Sequence, residues 1–234
     1  MNMIPVILSA GRGSRVGKET SELPKWFLQI NNNTIYDYQL SSLEDHFDTV
    51  YVVLGHGFEH REPPYEILPN EYDINVEPLV FPEWETVDNA ASAAYALNKI
   101  PDDDLLLICG DIITKDGLID EIISKYQSEV GPLSYSAVAA IEGVQKEKTA
   151  VQWDSDEYIK KYGKIEGHEE AGIFILNKNH LNKAKNIWEK CGDEWFPIIF
   201  PLVDSKPLKI DGENQYEINT KSDLAETRKE LGSY

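Results

Sequence analysis

Gly11, Gly13 and Gly17 alternate with Arg12, Arg15, Lys18 and Lys25 in one short stretch of a chain whose formal net charge is -19. Ser9, Ala10 and Ser14 keep the neighbouring side chains small, so a ligand can come close to the backbone. Glycine reaches the φ values that aim several N–H groups at one anion. A basic, glycine-rich loop in an acidic chain predicts binding of a polyphosphate. Two familiar phosphate loops do not fit the spacing. The dinucleotide turn needs its third glycine one residue earlier than Gly17, and an acidic residue after the second strand, which here ends Val53-Leu54-Gly55-His56-Gly57. The P-loop needs Ser or Thr after Gly17-Lys18, and Glu19 stands there. For the glycine pair alone, a surface loop without a ligand is the competing reading.

A second point of chemistry is Gly110-Asp111, directly after the apolar run Leu105 to Cys109. In open parallel sheets ligands gather at the carboxyl ends of strands. A carboxylate there suits Mg²⁺, which binds through one or two carboxylates plus substrate phosphates. The alternative is an Asx turn or a cap for a helix starting near Asp116. Asp102 to Asp104 lie at the start of that strand and read as a solvated loop. Asn89 and Ser92, at the head of an alanine-rich segment, are either helix-capping polarity or groups facing a ligand. Cys109 and Cys191 give neither a disulfide framework nor metal spacing. His46, His56, His60, His168 and His180 show no ligand spacing and read as packing or surface.

These residues need a scaffold, and the first half of the chain alternates strand and helix patterns, which argues for a parallel sheet with crossover helices. Strands are predicted at 4–8, 49–54, 74–81 and 105–109. Helices are predicted at 35–47, started by Thr34 or Asn33, and at 86–99. Pro63, Pro64 and Pro69 break the segment between the second and third strands into turns. The second half is less regular. Strands are expected at 134–141, 149–153, 172–176, near 206–210 and at 216–219, and helices at about 178–191, 194–202 and 221–231. The segment 154–171 reads as a polar connection, and Asp154-Ser155-Asp156 as a hairpin turn.

The string Ala10-Gly11-x-Gly13-x-Arg15, with Pro24-Lys25 ten residues on, resembles the signature loop of the sugar-phosphate nucleotidyltransferase superfamily, including its small phosphocholine cytidylyltransferase-like members. The resemblance runs from this loop through Gly110-Asp111 to Asn219-Thr220 and Asp223-Leu224 near the end. It implies an α/β, Rossmann-like (GT-A-like), mostly parallel sheet flanked by helices, with a small strand-rich annex that binds the acceptor. The chain reads as one nucleotidyltransferase domain, 1–130 forming the nucleotide half and 131–234 the acceptor half.

Carried over residue by residue, the resemblance puts Ser9, Ala10, Gly11, Gly13, Ser14, Asn89, Ser92 and Gly110 around the nucleotide. Arg15 and Lys25 are the catalytic cations, and Asp111 is the Mg²⁺ ligand. Lys161 or Lys164 would contact the acceptor phosphate and Glu170 an acceptor hydroxyl. The family often has Asp as second metal ligand where this chain has Asn219, whose amide oxygen can ligate Mg²⁺ without adding charge. The activity implied is transfer of a nucleotidyl group from an NTP, CTP favoured, to a small phosphorylated acceptor such as a sugar-1-phosphate or phospho-alcohol. Two other classes compete: a non-catalytic nucleotide-binding regulatory subunit, and a nucleotide-sugar-dependent glycosyltransferase, for which Asp154-Ser155-Asp156 has the right spelling.

Composition bounds the rest. The 234 residues, with 41% hydrophobic and 10% aromatic content, suffice for a large core. The acidity argues against a nucleic-acid partner. No run approaches the roughly 20 apolar residues of a membrane span. A soluble cytoplasmic monomer or homodimer is the expectation.

Overall fold

The computed structural model describes residues 3–63, 65–115, 117–145 and 148–232. Pro64 and Asp116, singled out above, lie outside the described residues.

The central strand is β1 (Met3–Ser9), whose β-branched and apolar residues are buried on both faces, as a parallel strand covered on both sides requires. A two-residue ribbon, β2 (Gln29–Ile30) and β3 (Asn33–Thr34), follows the glycine loop. Then β4 (Thr49–Leu54), β5 (Asn75–Val80) and β6 (Asp104–Cys109) complete a parallel core in the order β5-β4-β1-β6. Register decides where the chemistry gathers. Ser9 is level with Leu54 and Leu8 with Cys109, so the loop after β1, Gly55-His56 and Gly110-Asp111 all leave one edge of the sheet together.

Beyond β6 the sheet turns antiparallel. The short β7 (Ile112–Thr114) precedes β8 (Ser136–Gln145), β9 (Ala150–Trp153), β10 (Ile159–Gly163) and β11 (Gly167–Leu176); β12 (Ser205–Ile210) and β13 (Gln215–Glu217) come last. β11 pairs with β8 along both of its halves, with β9 at His168 and Glu169 and with β6 from Ile173 to Leu176, and β12 runs parallel to β8. Among the described residues, nine strands share this sheet. The strand-rich second half thus continues the main sheet, while β9, β10 and the start of β11 stand beside its carboxyl edge. The polar connection expected over 154–171 is corrected here. It contains β10 and the first residues of β11, where exposed Lys160 and Lys161 and half-buried His168 to Glu170 leave no apolar run.

Helices cover both faces. On one side lie α1 (Ile35–Leu43), α3 (Leu118–Lys125) and α5 (Lys221–Leu231), packed against Ile7; on the other lie α2 (Asn89–Leu97) and α4 (Leu181–Trp188), packed against Val6 and Leu8. That split along β1 is the period-two alternation of a strand. Thr34, rather than Asn33, caps α1 in a reciprocal box with Asp37, and Thr220 caps α5 likewise with Asp223. The expected helix at 194–202 is instead a 3₁₀ stretch, Phe196–Leu202, because Pro197 and Pro201 each remove a backbone donor. Among the described residues no helix is long and apolar enough to cross a membrane.

Candidate active site

A cleft of about 450 Å³ opens at the carboxyl edge of β1 and β6. One wall is the loop: Ser9, Ala10, Gly11, Gly13, Ser14, Arg15 and Lys25 all line it, with Gly110 and Asp111 beside them and Asn89 and Ser92 from α2 above. Two glycines allow this closeness. Gly13 has φ +64, and a Cβ there would lie 2.6 Å from Lys25 Cγ, so glycine lets the lysine stem cross the loop. A Cβ at Gly110 would meet Ser9 Oγ at 2.5 Å, so glycine lets the ends of β1 and β6 converge. The loop itself is a series of 3₁₀ turns, tied internally by Thr20 Oγ1 donating to Gly13 O at 3.0 Å.

Lys25 opens the turn after Pro24 and is only 8% exposed. Its Nζ donates to Asp111 Oδ2 at 2.6 Å and lies 3.4 Å from Asn219 Oδ1; Arg15 Nη2 donates to the same amide oxygen at 2.8 Å. Four residues from three distant segments therefore form one polar chain. Asn219 reaches it because β13 pairs with β7, setting Glu217 opposite Ile112, and because Ile218 N donates to Asp111 O. Asp223 accepts from Asn219 N at 2.8 Å, so the cap of α5 also fixes Asn219.

Across the cleft stand Thr149, Tyr162, Lys164, Glu170, Trp195 and Glu217. The structure separates the candidate lysines. Lys164 lines the cleft with its Nζ 5.6 Å from the Trp195 ring centre. Lys161 does not line it, since Tyr162 faces the cleft and adjacent strand residues face opposite ways; its expected acceptor contact is not supported by this position. Lys160 pairs with Asp154 at 3.0 Å. Asp154-Ser155-Asp156 forms the turn between β9 and β10, with Asp154 Oδ1 accepting from the N–H of Asp156 and of Tyr158, away from the cleft.

The carboxylates crowd one another. Loss of water at the cleft floor pushes the Glu170 carboxyl up to about 8, against the pull of Gly172 N, which donates to its Oε2 at 2.7 Å; Glu217 and Asp111 push it further up. The Glu217 carboxyl is raised by burial first and by Asp111 second. Burial also raises the phenol of Tyr162 and, with Asp111 adding to it, the thiol of Cys109, which leaves that thiol protonated and unreactive.

The resemblance implies a divalent cation, and the donor set suits one. Among the described residues no group of three or more His, Cys, Asp and Glu is arranged to hold a metal alone. Mg²⁺ asks for less, one or two carboxylates completed by phosphates and water. Asp111, Glu217 and the Asn219 amide oxygen line one cleft, and mutual repulsion of the carboxylates is what a cation relieves.

Several of these residues escape sequence reasoning. Glu217 precedes Asn219 by two positions, and the antiparallel pairing with β7 is needed to turn it inward. Tyr162 and Trp195 look like ordinary core aromatics. Trp84 lines the cleft with the His56 ring 5.0 Å away, and His56 Nε2 bonds Thr20 O at 3.0 Å.

Comparison with known proteins bears on this arrangement. The chain is 30% identical over 127 residues, 54% of this chain and 35% of the relative, to the low-salt glycan biosynthesis nucleotidyltransferase Agl11 of Haloferax volcanii. It is 26% identical over 237 residues, 98% of this chain and 54% of the relative, to the bifunctional protein GlmU of Methanocaldococcus jannaschii. The chain spans about a third to a half of the length of these curated relatives. The solved CTP:phosphocholine cytidylyltransferase of Streptococcus pneumoniae shares the fold, with a TM-score of 0.75 at 15% identity over 99% of this chain and 100% of that one. The family model of the MobA-like NTP transferase domain matches residues 5–172, which takes in the glycine loop, Lys25, Asp111 and Glu170. By that match the chain belongs to the MobA-like NTP transferase domain family, and it shares its fold with the solved cytidylyltransferase.

Proposed function

We propose that the protein couples an NTP, with CTP favoured, to a small phosphorylated acceptor and releases pyrophosphate. The observation that carries this reading is the polar chain Arg15–Asn219–Lys25–Asp111 at the rim of the glycine loop. A single phosphate site has no use for two converging cations and a facing carboxylate, whereas a metal–triphosphate does. The fold shared with a solved CTP:phosphocholine cytidylyltransferase supports the choice of CTP.

In the reaction an acceptor phosphate oxygen forms a bond to the α-phosphorus as the bond from that phosphorus to the bridging α–β oxygen breaks. Pyrophosphate leaves with the bonding pair. Both reactants are anions, so the work is alignment and charge stabilisation. Backbone donors of Gly11 to Ser14 and the Arg15 guanidinium hold the β- and γ-phosphates. Lys25, stiffened by Pro24, meets charge developing on the α-phosphoryl group. Asp111, with Glu217 and Asn219, would hold Mg²⁺, which when bound offsets phosphate charge. Lys164 attracts the acceptor phosphate, and Glu170 accepts from a hydroxyl or other donor on the acceptor. That phosphate is already ionised at neutral pH, so no general base is needed. In this division residues up to about 130 serve the nucleotide and later ones the acceptor, except Glu217 and Asn219 at the metal, in a cytoplasmic monomer or homodimer.

The test mixes the protein with each of the four NTPs, Mg²⁺ and a panel of sugar-1-phosphates, phosphocholine and other phospho-alcohols, and measures pyrophosphate. Release with one NTP and one acceptor class is expected. A folded protein silent with every pair would instead favour the regulatory-subunit reading, and transfer from a nucleotide-sugar would favour the glycosyltransferase.

A further inference from the structure

The side chains of Lys25 and Asp111 meet at 2.6 Å although they come from segments far apart in the chain. Lys25 sits in a 3₁₀ turn and Asp111 in a two-residue break between β6 and β7. One side chain bonds to both segments. Gln39, on α1, is fully buried. Its Oε1 accepts from the indole Nε1 of Trp26, the residue after Lys25, at 3.0 Å. Its Nε2 donates to Cys109 O at 2.9 Å and to Ile112 O at 2.7 Å, the two carbonyls that bracket Gly110-Asp111.

A primary amide has two donors and one acceptor group, and all are used here. A buried amide is costly unless satisfied, and a fully satisfied one rigidifies what it touches. Leucine or methionine at this position of α1 would fill the same core space without linking anything. The helix that carries Gln39 is itself pinned: the Thr34–Asp37 box fixes its start and Tyr72 Oη donates to Asp37. Trp26, also fully buried, packs on Phe27 and Tyr36. The reference frame for Lys25 and Asp111 is therefore a capped helix rather than the loops they stand on.

We propose that Gln39 is the positioning residue that sets the Lys25–Asp111 separation, and through it the alignment of the α-phosphate. It touches neither reactant. The proposal rests on the nucleotidyl-transfer reading for its catalytic consequence but on geometry for its structural one, and the test keeps these apart. Gln39→Met keeps length and removes all three hydrogen bonds. Gln39→Glu keeps the acceptor for Trp26 and, protonated in so buried a place, keeps one of the two donated bonds at most; it serves if the first variant fails to fold.

In steady-state kinetics either variant is expected to lower kcat about 10- to 100-fold while leaving the NTP KM within about threefold, the pattern of an interaction needed at the transition state. In urea unfolding without nucleotide, Gln39→Met, Lys25→Met and the double variant form a cycle. Coupled residues predict a double variant whose unfolding constant stays within about threefold of the worse single variant. Independent residues predict that the two effects multiply, and that result, or an unchanged kcat in a folded Gln39 variant, overturns the proposal. A wild-type protein that releases no pyrophosphate sinks the functional reading alone, because the unfolding cycle still judges Gln39.

Discussion

Glu170 is expected to weaken the fold it belongs to. Its carboxyl is half-buried on β11, and the loss of water there moves it from an ordinary 4.5 to about 8. Between those values the folded protein keeps a proton that the unfolded chain has released, so stability falls as pH rises through the window. The slope is about 1.4 kcal/mol per pH unit, or on the order of 4 kcal/mol across the whole window. That figure is a ceiling, since water in the cleft screens the carboxyl. Glu170→Gln removes the titration while its amide oxygen still accepts from Gly172 N. The assay is urea unfolding of wild type and variant at pH 5, 6.5 and 8 in the presence of a chelator. The variant should be favoured by roughly 1 kcal/mol at pH 5 and by up to about 4 kcal/mol at pH 8. In melting temperature the larger value is of the order of 10 °C for a chain this size. A difference independent of pH, or a variant less stable than wild type at pH 8, would refute the burial argument. The same variant should bind acceptor about tenfold more weakly, a stability–activity trade-off of the usual kind.

Three further outcomes follow from the cleft. Lys25→Ala and Asp111→Ala should each cut turnover by about 10²- to 10³-fold, with circular dichroism unchanged; wild-type rates in either would end the phosphate-site assignment. Lys25→Ala should also cost about 3 kcal/mol in urea unfolding, because it strands Asp111 among other carboxylates. Lys164→Ala should raise the acceptor KM about tenfold, whereas Lys161→Ala should leave it unchanged; the reverse order would mean that the β10 alternation misassigns the two lysines.

Local chemistry explains what could be read from the sequence. The glycine loop and Gly110-Asp111 are legible because their spacing to flanking strands is local: the residue after a buried strand stands at the sheet's edge wherever the rest of the chain goes. The parallel core is legible for the same reason, from its apolar runs. β10 and the start of β11 are not, because Lys160, Lys161 and the residues from His168 to Glu170 hide the strand pattern behind charge. Phe196–Leu202 has helical composition, but Pro197 and Pro201 change the type of turn. Glu217 enters the site only through the β13–β7 pairing, and Gln39 looks like an exposed helix position beside Tyr38 until α1 is rotated against β7. Such residues depend on which elements meet, and a single sequence does not specify those meetings by spacing.

Lys25 and Asp111, 2.6 Å apart, are assigned above to one reacting nucleotide. The most direct measurement is pyrophosphate release from CTP and Mg²⁺ with a panel of phosphorylated acceptors, run side by side on wild type and Asp111→Ala. Acceptor-dependent release by the wild type and its near-complete loss in the variant are expected. Equal release by both proteins, or acceptor-independent hydrolysis by both, would contradict that assignment.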